Sequence, residues 1–119
     1  MSKKNIEKYI PKAIEVLTSE FKDGEIPSSY NGYISAFGAS IIQSGLKPTL
    51  ALYENKNAST KEDKSMLTKL ILQVMTEGNS KESLLRYVLD SNTNETLLKE
   101  RILDIAVAIK LSIRTFKLV

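Results

Sequence analysis

The chain has 119 residues, of which 42% are hydrophobic and 26% charged, with a formal net charge of +3. That length predicts one domain, large enough to bury a core without covalent staples. The absence of cysteine excludes disulfides, zinc–thiolate sites and cysteine nucleophiles, and the absence of histidine removes the commonest general base and metal ligand.

The first helical segment is predicted over 3–22. Ile6, Ile10, Ile14, Leu17 and Phe21 repeat at steps of three and four, the helical period. Pro11 falls inside this run, and Ile6 keeps the same face across it, so a kinked helix is expected. Lys4, Lys8 and Lys12 step by four along another line, the ordinary pattern of a wet face. No apolar run follows the basic start and no stretch reaches membrane-spanning length, so a cytoplasmic location without a membrane partner is expected.

A second helix is predicted over 28–44, with Tyr30, Tyr33, Ile34, Phe37, Ile41 and Ile42 as its apolar stripe. No charged residue lies between Glu25 and Lys47. A surface helix ordinarily carries charge on its wet face, so this one is expected at the centre, with Gly32 and Gly38 admitting close neighbours. A short helix over 48–54 follows, opened by Pro48, and then a breaker-rich stretch read as a mobile loop near 55–60.

The fourth helix is predicted over 60–77, opened by the capping-box form Ser59-x-x-Glu62 and stopped by Gly78. The fifth covers 81–90, capped by Ser80, with Leu84, Leu85, Val88 and Leu89 inward. The sixth runs from 95 almost to the end. Its apolar set is Leu97, Leu98, Ile102, Ile105, Ala106, Ile109, Ile113 and Phe116. Strand signals are poor throughout. The fold class is therefore all-α, a compact single-domain bundle of five to six helices over 1–119.

No catalytic constellation, metal set or cofactor motif emerges. Glu100 and Asp104 are one helical turn apart and have the spacing to share a metal, but flanking lysines favour a solvated acidic patch. The glycines form no phosphate-binding pattern. Basic patterning is more informative. Lys110, Arg114 and Lys117 recur at steps of four and three, Lys99 falls near the same line, and no acid follows Asp104. Such a row can follow a phosphate backbone, each cation neutralising one phosphate. It can equally complement the negative end of a helix dipole and keep an apolar helix soluble. Lys47 is exposed by its position between two helices. Tyr30 and Tyr33 could stack on bases, or lie in the core with hydroxyls at its edge.

The stretch from Tyr33-Ile34-Ser35-Ala36-Phe37-Gly38 through Gln43-Ser44-Gly45-Leu46-Lys47-Pro48 to Ala51-Leu52-Tyr53 resembles the signature of the small all-helical subunit of the type III-B (Cmr) CRISPR RNA-guided effector complex. The order of the other parts, a long first helix, a variable middle and a long basic final helix, is also similar. The resemblance implies a non-catalytic protein that stacks head to tail beside the backbone and large subunits. It also implies a part in holding the guide RNA–target RNA duplex for antiviral RNA silencing. Lys110 sits where such proteins often carry a basic residue, and Arg114 and Lys117 extend that face. The segment before Gly45-Leu46 lacks the basic residues common there, which shifts the expected RNA-backbone contact to Lys47, Lys110, Arg114 and Lys117, with Lys4, Lys8, Lys12 and Lys99 as weaker candidates. The other reading is a helical protein–protein adaptor that makes no RNA contact.

Overall fold

The computed structural model describes residues 3–55, 64–77 and 82–119. Among them are six helices: α1 (Lys3–Glu20), α2 (Ser29–Ser44), α3 (Leu46–Tyr53), α4 (Ser65–Thr76), α5 (Leu84–Asp90) and α6 (Glu95–Ile113). Two two-residue strands, β1 (Glu25–Ile26) and β2 (Lys117–Leu118), pair in parallel. The protein is an all-α bundle.

α1 is one unbroken helix through Pro11. Pro11 and Glu7, whose carbonyl a proline at 11 leaves without its N–H partner, are both exposed, so water can answer that carbonyl. α2 ends where Gly45 adopts φ 98° and donates its N–H to the Ile41 carbonyl. That backbone region suits glycine, and it lets α3 start at Leu46, two residues before the expected Pro48. The hydroxyls of Ser40 and Thr49, 2.8 Å apart, tie the two helices together.

The capping box Ser59-x-x-Glu62, the stretch 56–60 of the expected mobile loop, the Ser80 cap and Gly78 lie outside the described residues. α4 ends at Thr76, with Glu77 in the left-handed region at φ 56°. The cap of α5 is Ser83, whose Oγ accepts from the Arg86 N–H at 3.1 Å. Leu85 N–H donates to Glu54 Oε2 at 3.0 Å and fixes α5 against the end of α3. α6 opens with Asn94 accepting from the Thr96 N–H at 2.8 Å.

The central element is α6, not α2. It makes the most extensive contacts of any helix, against α1, α2 and α4, and buries Leu98, Ile102, Ile105, Ala106, Ala108, Ile109 and Ile113. α2 buries only the Tyr30, Ile34, Phe37 and Ile41 face. Gly32, Ser35, Ala36, Ala39 and Gln43 are exposed, and Ile42, expected inside, is 68% exposed. Leu89 and Leu97, also expected inside, are exposed. A methyl added to Gly32 would meet nothing within 4 Å, so no close neighbour accounts for that glycine.

The chain does not stay helical to its end. Arg114 is the C-cap of α6, a turn follows, and β2 lies beside β1. Lys117 N–H donates to the Gly24 carbonyl at 3.2 Å and Val119 N–H to the Ile26 carbonyl at 3.0 Å. Ser28 N–H returns a bond to the Val119 carbonyl at 2.9 Å. α1 and α6 lie side by side in a matching register. Arg101 Nε reaches Tyr9 Oη, 92 positions earlier, at 3.4 Å, and Glu25 pairs with Lys117 across the strands at the same interval.

Candidate nucleic-acid interface

One line of α6 carries Lys99, Leu103, Val107, Lys110 and Arg114 at steps of three and four, away from the buried Leu98, Ile102, Ile105 and Ile109; its first four residues are half-buried and Leu103 packs against the core. Lys99 and Lys110 are half-buried, which suits lysine stems lying on apolar surface with their ammonium groups in water. Arg114 is exposed. None of the three is in an ion pair among the described residues. Among the described residues no carboxylate answers their charges.

The remaining candidates separate from this face. Lys47, in the first turn of α3, pairs with Glu95 at 3.0 Å. Glu95 is the first residue of α6, so Lys47 lies at the end of that 19-residue helix opposite to Arg114, about 29 Å away along its axis. Lys117 leaves the expected helical line because the helix has ended, and its ammonium is 3.4 Å from Glu25. It remains exposed, three residues from Arg114.

On α1, Lys12 pairs with Glu15 at 3.2 Å and Lys8 lies 5.7 Å from the centroid of the Tyr9 ring. Lys4 is exposed. Lys12 lines a groove between α1 and α4 together with Glu15, Glu20, Gln73 and Glu77. That groove sets Lys12 among three carboxylates.

Beside the α6 face lies the open strip of α2. A methyl on Gly38 would stand 3.8 Å from Leu103 Cδ2, which shows that α2 and α6 adjoin here at ordinary contact distance. The strip of Gly32, Ser35, Ala36, Ala39, Ile42 and Gln43 is uncharged, as interface cores are and solvated helix faces are not.

Tyr30 is buried, with its ring edge-on to Phe21 and to Tyr33. Tyr33 is half-buried and the ammonium of Lys64 lies 5.1 Å from its ring centroid. Tyr30 thus offers no open face for a base, and the face of Tyr33 is shared with a cation. Glu100 is exposed, but Asp104 is only 4% exposed and its Oδ1 finds no hydrogen-bond partner among the described residues. The two do not form a solvated acidic patch. Among the described residues no group of three or more Asp or Glu side chains is placed to hold a metal ion, and no helix is long and apolar enough to cross a membrane.

Two features escaped sequence reasoning. Glu95 neutralises Lys47 from 48 positions away, and no local pattern signals such a pair. Lys64 follows a polar run and carries no motif, yet it meets two tyrosines from two other helices.

A family model described as CRISPR-associated protein (Cas_Cmr5) matches residues 3–112. No curated protein and no solved structure matches the chain.

Proposed function

Since the chain belongs to the CRISPR-associated Cas_Cmr5 family, and is thus a small subunit of the Cmr type, we propose that it acts without catalysis of its own, binding RNA through α6. The reading is that Lys110 and Arg114, with Lys117 and Lys99 at the margins, hold phosphates of the guide–target duplex while the bases pair with each other. Contacts to phosphate position a strand without reading its sequence, which suits a complex whose specificity comes from the guide. The observation that carries this reading is the pair of cations on that line of α6 with no carboxylate partner among the described residues. Lys47 has a smaller role, because Glu95 already answers its charge.

The same reading has copies of the chain stacking head to tail beside the backbone and large subunits in the cytoplasm. Head-to-tail contact joins two different patches of one surface. The uncharged open strip of α2 supports a protein contact on that side. It also favours the second reading, an adaptor that binds only protein.

Affinity purification of the tagged protein from its host, with sequencing of bound RNA and mass spectrometry of bound proteins, tests both. Guide RNA together with other Cmr subunits is the expected result. Protein partners without RNA would leave the adaptor.

A further inference from the structure

Lys64 stands immediately before α4 and carries its ammonium into the angle between two tyrosines. Nζ is 5.1 Å from the ring centroid of Tyr33, on α2, and 5.1 Å from that of Tyr53, on α3. Both distances fall within the range over which the negative face of an aromatic ring attracts a cation. No carboxylate among the described residues pairs with Lys64. The ring faces are thus the groups that answer its charge there.

The two rings are fixed by contacts that do not involve the lysine. The Tyr53 hydroxyl donates to the Tyr33 carbonyl at 2.9 Å. The Tyr53 ring meets Phe37 edge-on at 5.1 Å, and the Tyr33 ring meets Tyr30 edge-on at 5.9 Å. Phe37, Tyr30 and Tyr53 are all buried. Withdrawal of the Lys64 side chain would remove the cation and leave the rings where they are.

We propose that Tyr33 and Tyr53 form a preorganised site for an alkylammonium group, which the chain's own Lys64 occupies as a tethered ligand. The Tyr33 carbonyl is already taken by the Tyr53 hydroxyl, so the site attracts a cation through ring faces and asks for no hydrogen bond from it. A quaternary ammonium, which has no N–H to give, satisfies such a site as well as a primary amine does. Being tethered, Lys64 holds the site at high effective concentration and excludes free cations. It also pins the start of α4 to α2 and α3. An outside ammonium therefore enters only when Lys64 has left, and its entry unpins α4.

The test is a titration of tetramethylammonium chloride into protein carrying isotope-labelled tyrosine, against sodium chloride at matched ionic strength, with the tyrosine ring resonances as readout. In Lys64→Ala, saturable shifts are expected at Tyr33 and Tyr53 but not at Tyr9 or Tyr87. The apparent affinity should be about tenfold above wild type, the factor by which two cation–π contacts favour the lysine-bound state. Lys64→Gln removes the charge but keeps most of the stem, so it carries the test if the alanine variant fails to fold. Tyr33→Leu added to either variant should abolish the saturable response. Shifts that rise linearly with salt, are equal in wild type and variants, or spread over all five tyrosines would overturn the proposal.

Discussion

Replacing both Lys110 and Arg114 with alanine removes the two cations of the α6 face that have no carboxylate partner among the described residues. They stand one helical turn apart, about 6 Å along the axis, so both can reach one strand. A cation that neutralises one phosphate of a single strand adds about 0.7 to the slope of log affinity against log salt. Two such cations add about 1.4, so between about 50 and 200 mM salt the wild type should lose about sevenfold more affinity than the double variant. Fluorescence anisotropy of labelled target RNA with the assembled complex, read at several salt concentrations, measures this directly. Lys47→Ala and Lys117→Ala serve as contrasts, because Glu95 and Glu25 lie 3.0 and 3.4 Å from those ammonium groups and already answer them. Each should change the slope less than either α6 substitution does. An unchanged slope in the double variant, or a larger effect from Lys47→Ala, would refute the placement of RNA on α6.

Gly32→Ala should raise stability by about 0.5–1 kcal/mol, because the position is exposed within a helix and an added methyl meets nothing; urea unfolding measures it, and destabilisation would mean that the site needs glycine. Ile105→Ala, at a fully buried position on the central helix, should cost about 2–5 kcal/mol and shift the urea midpoint without changing the dependence on denaturant. Ala36→Glu should leave stability within about 0.5 kcal/mol, since the site faces water. If the α2 strip is a protein contact, the same variant should recover fewer Cmr subunits on purification, and undiminished recovery would remove α2 from that role. Burial raises the Tyr53 pKa above its ordinary value of 10.0. The folded state therefore keeps a proton that the unfolded state releases, so this contribution is whole below pH 10 and is lost as pH rises through the raised folded value. Alkaline unfolding curves should show a shallower fall with pH in Tyr53→Phe than in wild type.

Helical period and the Gly45 stop located the helices, because such signals act within a few residues of the chain, whereas the expected caps did not set the observed starts: α3 begins at Leu46 and α5 is capped by Ser83. Burial was less legible. The uncharged run between Glu25 and Lys47 reads as a central helix packed on most sides, yet alanine, serine and glycine cost little in water and can floor an open face. Which helix is central depends on how many others pack against it, and for α6 those partners come from α1, α2 and α4. The basic site was half legible. Lys110 and Arg114 share a face because the helix carries the spacing between them. Lys117 departs because α6 stops at Ile113 and a two-residue strand is too short to show alternation. Lys47 is neutralised by a carboxylate on another helix, a fact that only the folded chain contains.

The matching register of α1 with α6 governs the order in which the molecule can be completed. Tyr9 meets Arg101 92 positions later. At about 5–20 residues per second a ribosome needs roughly 5–18 s to add that interval. Throughout it, Ala13 and Leu17 wait without the helix against which α1 makes its most extensive contact. Neither end of the chain can reach its native setting alone, and the Glu25–Lys117 strand pair closes only after α6 has been released. The α1 side of the core therefore cannot be completed before α6 exists: no finished half forms while that helix is still being made.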